Sequence, residues 1–202
     1  MGETLVFRSP MARPLVVIVA AVCLVALGYF IWIGGPAELW RSGPTAALVI
    51  VVMWALFWVP GAEVSDGGIT VVNVLRTVHV PWPEFTEAEA RWSLQVRAGD
   101  VTVSSWGVPA SSGTGTRLAS RGRARRASAE ERAATETPRR LTGRGNAEAA
   151  ALAIGERRSA LADAGHLTGA RRGTLPVTTT WHRPVIVALI AASVLTAASW
   201  LG

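Results

Sequence analysis

Three uncharged apolar stretches constrain this chain more than any other feature of its sequence. The first, residues 14–33, contains 20 residues, and a helix rising about 1.5 Å per residue needs about 20 residues to cross a hydrocarbon core about 30 Å thick. The third, residues 184–201, has a similar length and begins with proline, which is favoured at a helix start. The second, residues 46–60, is shorter, but Gly61 and Ala62 extend it to a marginal spanning length. The sequence therefore predicts three transmembrane helices, the first two paired in a hairpin.

Two other interpretations of these stretches are open. Arg8 and Arg13 form a basic flank before the first stretch, as in a secretory signal peptide, but the apolar run is longer than the core of such a signal. No clear small-x-small cleavage site follows Gly34. The second stretch has the length of a buried core helix, but the rest of the chain is too polar to build a soluble core around it.

The charged residues are distributed unevenly. All 20 basic residues are arginine; residues 109–172 contain 13 Arg and 6 acidic residues (+7), whereas residues 61–108 contain 3 Arg and 6 acidic residues (−3). Cytoplasmic loops of membrane proteins carry the excess of positive charge, and Arg8 and Arg13 favour the same side as the long polar segment. We therefore expect the N-terminus and the polar segment to be cytoplasmic and the C-terminus to lie outside.

The first part of the polar segment, residues 62–108, has the pattern of an antiparallel meander of about five short strands. Asp66-Gly67 lies between two β-rich runs and predicts a tight hairpin in which both central residues have positive φ. A second turn is predicted at residues 98–100, between runs in which apolar and polar residues alternate. The acidic residues Glu84, Glu87 and Glu89 follow a turn and are interpreted as a solvated, charged edge.

The second part of the polar segment is poorer in apolar residues. Residues 109–145 are rich in Arg, Ala, Gly and Ser and predict a flexible linker. Residues 146–166 predict a helix with Asn146 as N-cap and Gly165 as its stop, whose thin apolar stripe of Ala150, Ile154 and Leu161 would dock on the sheet. Residues 167–183 form a second linker before the third span. The N-terminal unit, with spans at about 14–33 and 46–60, comprises residues 1–61.

The run from Asp66 to Trp82, D-G-G-I-T-V-V-N-V-L-R-T-V-H-V-P-W, resembles the hairpin signature of the bacterial PH-like domain family. The likeness is to the short actinobacterial PH-domain-containing membrane proteins of the low-molecular-weight antigen type, which place two helices before the domain and one after it. The resemblance implies a membrane α + β protein: three transmembrane helices, a small, bent antiparallel PH-like β domain, and one capping helix. A complete PH fold has seven strands. The domain is therefore truncated, or strands from the linker or from a second copy complete it, and homo-oligomers are expected from an unpaired edge.

Several residues are candidates for membrane contact. An arginine close to an anionic leaflet gains about 1 kcal/mol, so the arginine cluster of the linker is expected to adhere to the membrane surface: Arg117, Arg121, Arg123, Arg125 and Arg126. Interfacial anchors are predicted at Trp40, Trp181, His182 and Trp200. A phosphoinositide pocket does not carry over, because the first hairpin region offers Arg76 and His79 amid net negative charge. No aromatic residue lies between Trp106 and Trp181, which disfavours nucleic acid.

Nothing in the sequence indicates an enzyme or a cofactor. His79, His166 and His182 lie far apart, and the single cysteine, Cys23, lies in the first apolar stretch, so no metal motif is present. The expected function is a non-enzymatic integral protein of the bacterial inner membrane that presents its cytoplasmic PH-like domain as a scaffold or assembly module. The alternative is an anionic-lipid sensor that uses the domain and the arginine-rich tail. The expected partners are the lipid bilayer, an unidentified membrane protein and a second copy, with no nucleic acid.

Overall fold

The computed structural model describes residues 3–110, 147–167 and 175–201. Three of its helices are long and apolar enough to cross a membrane: α1 (Ala12–Gly34), α2 (Ala37–Met53) with the π-helix Trp54–Trp58 that continues it, and α4 (Arg183–Leu201). The central α2 packs against both α1 and α4. Helices therefore occupy all three predicted spans, two of them in a hairpin and one at residues 183–201.

The second helix begins at Ala37, nine positions before the predicted start at residue 46. Gly35, at φ +77, ends α1, and Pro36 precedes α2, so the hairpin turn is very short. Pro44 lies inside α2, and the carbonyl of this residue accepts a hydrogen bond of 3.0 Å from the Thr196 hydroxyl of α4. This interhelical hydrogen bond joins α2 to α4, as polar side chains commonly do between transmembrane helices.

Two antiparallel sheets form the β domain. The five-stranded sheet has the order β1-β2-β3-β4-β8 and the three-stranded sheet the order β5-β6-β7. The strands are β1 (Leu5–Phe7), β2 (Gly61–Ser65), β3 (Gly68–Val72), β4 (Arg76–Pro81), β5 (Phe85–Ala90), β6 (Ser93–Ala98), β7 (Val101–Pro109) and β8 (Thr178–Trp181). The sheets meet where β7 packs against β2 and β3. The expected small antiparallel domain is confirmed.

The structure contains strands that the sequence pattern did not predict. Residues 61–109 hold six strands instead of about five, because β5 covers Glu87 and Glu89, which were interpreted as a solvated edge. Two further strands come from outside the stretch 62–108: β1 precedes the first span and pairs with β2, and β8 precedes the third span and pairs with β4. The five-stranded sheet is thus extended by this chain's own juxtamembrane segments.

The predicted hairpin at Asp66-Gly67 is present, but its backbone differs from the expectation. Ser65 pairs with Gly68, so the loop has two residues, and the positive φ, +149, falls at Gly68 instead of Gly67. A Cβ at Gly68 would lie 3.0 Å from the Pro81 Cα of the neighbouring strand. Gly68 is therefore needed for both its backbone conformation and its lack of a side chain.

The hydrophobic core lies between the two sheets and under helix α3 (Ala147–Asp163). Ala150 and Ile154 are fully buried and Leu161 packs beside them, so the predicted docking stripe is confirmed. The helix ends as predicted at Gly165, where the N–H groups of Gly165 and His166 bond to the carbonyls of Ala162 and Leu161, a Schellman motif. The predicted N-cap Asn146 lies outside the described residues. The largest fully buried side chains of the core are Ile69, Leu94, Ile154, Val64, Val71, Val80, Val96 and Val108.

Candidate functional site at the junction of sheets and helices

All three spanning helices join the β domain at the same end, which we call the junction. Residues 8–11 connect β1 to α1, residues 59–60 connect the π-helix to β2, and residue 182 alone connects β8 to α4. Because β2 starts at the junction and β3 returns to it, the turn at residues 73–75 also lies there. The hairpin loops at 66–67 and 99–100 lie at the opposite end. The junction is therefore where the chain passes between sheet and helix.

His182 fixes the start of α4 to the sheet. Its main-chain N–H donates to the Leu75 carbonyl at 2.8 Å. Its ring lies with Nδ1 3.3 Å from the Val74 carbonyl and Nε2 2.7 Å from the Thr77 hydroxyl. A carbonyl only accepts, so Nδ1 carries a proton and, in the neutral ring, Nε2 accepts from Thr77. Three hydrogen bonds thus hold the start of α4 against the β3–β4 turn and the first residues of β4.

Asn73 links the two sheets at the junction. Its side-chain Nδ2 donates to the Ser104 carbonyl at 2.9 Å, and the Trp106 N–H donates to its Oδ1 at 2.8 Å. Both partners belong to β7, so one amide side chain bonds two backbone groups at the edge of the three-stranded sheet. The main-chain N–H of Asn73 also donates to the Arg76 carbonyl at 2.9 Å, which closes the turn.

Gly107 brings β7 close to the start of the five-stranded sheet. Its carbonyl accepts a hydrogen bond of 3.1 Å from the Ser9 N–H, in the connection to α1. A Cβ on Gly107 would lie 2.5 Å from the Pro60 carbonyl oxygen, well inside van der Waals contact. The absence of a side chain here permits the close approach of β7 to the connection between the second span and β2.

A cavity of about 1010 Å³ lies at the junction. Its wall combines residues of the spans with residues of both sheets, and apolar atoms predominate. Three tryptophans on this wall are largely exposed: Trp92 (91%), Trp106 (59%) and Trp181 (56%). The residues that line the cavity from the spans are Ala12, Leu56, Phe57 and Leu189, and those from the β3–β4 turn are Asn73, Val74, Leu75 and Arg76.

The charges around the junction are mainly positive. Arg76 is exposed at the start of β4 and has no ion pair among the described residues. Arg13, in the first turn of α1, stacks over the Trp58 ring at 5.1 Å, a cation–π contact. Arg8 lies 3.8 Å from Glu63 in an ion pair, and Arg183 begins α4. The β domain is acidic as a whole, so this positive end contrasts with the rest of its surface.

The predicted anchor residues lie at two ends of the helices. Trp181 and His182 lie at the junction, and Trp181 lines the cavity. Trp40 and Trp200 lie at the opposite end, where Trp200 Nε1 donates to the Thr45 hydroxyl at 3.3 Å. Trp40 and Trp200 line a second cavity there, of about 710 Å³. Their role at a membrane interface stays a prediction. The arginine cluster at residues 117–126 lies outside the described residues.

The first hairpin, near which PH domains of eukaryotes bind phosphoinositides, faces away from the junction. Arg76, which was predicted to lie near this hairpin, therefore lies at the other end of the domain. Its turn residue Asp66 lies 3.2 Å from Arg157 of α3 in an ion pair. His79 on β4 bonds to the Thr70 hydroxyl at 2.9 Å. No cluster of three or more His, Cys, Asp or Glu side chains suited to a metal occurs in the part of the chain that the structure describes. The junction residues Asn73, Leu75, Trp92 and Trp106 were not predicted as site residues.

Comparison with known protein families shows which family the β domain is similar to. Residues 59–127 match the model of a family described as bacterial PH domain. The match covers β2 to β7 and continues beyond residue 110, outside the described residues. Searches of curated proteins and of solved structures found no match. The bacterial PH resemblance predicted from the hairpin is thus confirmed for this segment, whereas the narrower likeness to the actinobacterial antigen-type proteins stays a prediction.

Proposed function

We propose that this protein is a non-enzymatic scaffold or assembly module that holds its PH-like domain at the cytoplasmic face of the bacterial inner membrane. One observation carries the proposal: three helices able to span a membrane enter the domain at a single end through connections of four, two and one residues. Connections this short leave the domain little freedom to rotate away from the bilayer. Its opposite end is then held at a defined height and orientation.

Fixed presentation suits a module that assembles other membrane proteins. A domain confined near the bilayer meets membrane-bound partners at a high effective concentration, without any additional contact. The end away from the membrane offers the loops at 66–67 and 99–100 and the outer face of the three-stranded sheet, where Gln95 and Thr102 lie. Bacterial PH domains, whose family model residues 59–127 match, typically lack enzymatic activity, which agrees with a role in binding. The proposed partner is another membrane protein or a second copy of this chain.

Site-specific photo-crosslinking in intact membranes tests the scaffold role. A photoreactive residue at Asp100, in the exposed loop far from the junction, should yield one or a few discrete protein adducts. The same residue at Val25, which is 74% exposed on α1, serves as a control that should yield mainly lipid adducts. Thr102, on the outer face of the three-stranded sheet, is a second position for the photoreactive residue. Adducts from both positions with the same protein partner would support the scaffold role.

Two results would count against it. If Asp100 and Thr102 give no discrete protein adduct in native membranes, the far end is not an assembly surface. If these positions instead give adducts with anionic lipids, and the full chain in nanodiscs distinguishes between anionic headgroups at moderate salt, the alternative of a lipid-sensing module accounts for the protein better.

A further inference from the structure

The junction cavity crosses the boundary between two environments. Leu56, Phe57 and Leu189 line it from helices that are long and apolar enough to cross a membrane. In a bilayer, hydrocarbon would surround this part of the wall. Arg76 and Asn73 line it from the β3–β4 turn, which belongs to the domain. A molecule that fills this cavity therefore needs an apolar part on the helix side and a polar part on the sheet side.

The size and wall of the cavity suit one amphiphile. Ligand pockets commonly enclose about 300–1,000 Å³ and are lined mainly by apolar and aromatic side chains with a few polar groups. The junction cavity, of about 1010 Å³, lies at the upper end of this range and carries three tryptophans. Tryptophan is enriched at the headgroup level of bilayers, because its ring has an apolar body and one polar N–H group.

The polar side of the cavity favours an anion. Arg76 reaches the wall from the start of β4 and, among the described residues, has no acidic partner there. Guanidinium groups bind phosphate oxygens in a bidentate geometry. Arg13 and Arg183, at the first turns of α1 and α4, add positive charge at the same end. An anionic phosphate group is therefore the best complement to this wall.

The backbone around the cavity argues against a peptide as the occupant. A peptide that adds to a sheet needs unpaired N–H and C=O groups on the edge strand. Here the Ser104 carbonyl and the Trp106 N–H are already bonded to Asn73. The Leu75 carbonyl is bonded to the His182 N–H. The groups that a strand would use are thus occupied, whereas an acyl chain needs none of them.

We propose that the junction cavity binds one anionic phospholipid from the surrounding leaflet. Its phosphate contacts Arg76, and one acyl chain lies between Trp92, Trp106 and the apolar residues of the spans. This site lies at the end of the domain opposite the first hairpin, and the proposal does not depend on the scaffold role. A lipid held here would fill the space between the sheets and the helices and stabilise the fixed orientation of the domain.

Native mass spectrometry of the full chain, purified in a mild detergent, tests the proposal. The unmodified protein should retain one phospholipid per chain, and anionic species should be enriched over their share of the membrane. Arg76→Gln should lower the affinity for anionic phospholipid about tenfold, as expected for the loss of one charge-assisted contact. Arg97→Gln is the matched control, because Arg97 is also an exposed strand arginine but does not line the cavity. It should retain the lipid.

A blocking variant gives an independent measurement. Ser104 is exposed on the cavity wall, so Ser104→Trp should fill the cavity without entering the core and should abolish lipid retention. Labelling in nanodiscs that contain a photoreactive anionic phospholipid should mark peptides around Leu75 and Trp106 in the unmodified chain and not in this variant. Thermal unfolding of each variant checks that it is folded. If Ser104→Trp does not fold, the comparison of Arg76→Gln with Arg97→Gln still tests the proposal.

Other outcomes would overturn the proposal. Equal lipid retention by the unmodified chain and a folded Ser104→Trp variant would place the lipid elsewhere. Equal affinity for anionic and zwitterionic phospholipids, or equal losses in Arg76→Gln and Arg97→Gln, would remove the role of Arg76. The cavity would have a different occupant if the unmodified chain retained a peptide that Ser104→Trp loses. The same holds if the unmodified chain formed a dimer that Ser104→Trp dissociates. If the unmodified chain neither retains a phospholipid nor is labelled by one, no phospholipid binds in the cavity.

Discussion

The two hydrogen bonds between Asn73 and β7 should stabilise the domain measurably, so their removal should lower its stability. Asn73→Ala deletes the bond to the Ser104 carbonyl (2.9 Å) and the bond from the Trp106 N–H (2.8 Å). Asn73→Asp keeps the acceptor for Trp106 but replaces the donor by a carboxylate oxygen, which faces the Ser104 carbonyl. The pair of variants therefore separates the loss of both bonds from the replacement of one bond by repulsion.

The expected magnitude follows from the surroundings of these groups. An intramolecular hydrogen bond contributes about 0.5–1.5 kcal/mol net, so two contribute about 1–3 kcal/mol. Ser104 and Trp106 are exposed, and water can bond to their backbone groups when the side chain is gone. We therefore expect a loss of about 1–2 kcal/mol for Asn73→Ala, in the lower part of the range. Asn73→Asp should lose a similar amount, because the carboxylate cannot donate to the Ser104 carbonyl and must turn away from it.

Amide hydrogen exchange of the full chain in nanodiscs is the direct assay. A change of about 1–2 kcal/mol corresponds to about 5–30-fold faster exchange of an amide that the bond protects. The Trp106 amide should show this change, whereas amides in the middle of β3 should change little. Gln95→Ala is the control, because Gln95 carries an amide side chain that makes no hydrogen bond found among the described residues. It should leave Trp106 unaffected.

Two results would refute the reasoning. If exchange at Trp106 is the same in Asn73→Ala as in Gln95→Ala, Asn73 does not hold β7 to the five-stranded sheet. If Asn73→Asp exchanges like the unmodified chain, the bond from Nδ2 to the Ser104 carbonyl contributes nothing. In the first case β7 would be held by its packing against β2 and β3 and by the hydrogen bond from the Ser9 N–H to the Gly107 carbonyl.

Three further predictions concern the packing of the domain and are measured by thermal unfolding of the full chain. Ile154→Ala should cost about 2–5 kcal/mol because Ile154 is fully buried. Leu152→Ala is the control: Leu152 is 69% exposed on the same helix, so its loss should change stability by less than about 0.5 kcal/mol. Similar costs for the two variants would mean that α3 is not docked by its apolar stripe. Gly107→Ala should cost about 1–3 kcal/mol because the new Cβ meets the Pro60 carbonyl, and an unchanged melting temperature would contradict the close approach. Ser105→Ala should be neutral or stabilising by up to about 1 kcal/mol, because the buried Ser105 hydroxyl has no hydrogen-bond partner among the described residues, and a clear loss would reveal a partner.

The spanning helices could be predicted from the sequence because their signal is a single physical property over a long stretch. The boundaries of α1 and α4 differ from the predicted ones by at most two residues. The start of α2 was missed because Glu38, Arg41 and Pro44 interrupt the apolar run. The contact between the Thr196 hydroxyl of α4 and the Pro44 carbonyl of α2 exists only once the helices have packed.

The strands that escaped prediction have weak local signals. Glu and Ala, which make up most of β5, have low β propensity, and their conformation is set by pairing with β6. β1 and β8 have only three and four residues, too few for an alternating pattern to be recognised. The hairpin at Asp66-Gly67 was found because turn chemistry is local. Pairing with neighbouring strands, and not a local pattern, decided β1, β5 and β8.

The junction site was not visible in the sequence because its members are brought together only by the fold. Arg76 and Trp181 are distant in the chain but lie directly opposite each other on β4 and β8. The sequence marked Trp181 and His182 as membrane anchors from their position before an apolar run. It could not show that His182 bonds to the β3–β4 turn, or that Arg76 and Trp181 share a cavity wall.

The short edge strands and the spanning helices support each other. The pairs Leu5 with Val64 and Arg76 with Trp181 close long loops, and the entropy of closing a loop grows with its length. Packed helices hold the ends of β1, β2 and β8 together at the junction, because each strand connects to its helix through four residues or fewer. This lowers the entropic cost of pairing, so that edge strands of three and four residues suffice. In return, the hydrogen bonds of β8 and His182 fix the start of α4, so the packing of the third span and the completion of the five-stranded sheet stabilise each other.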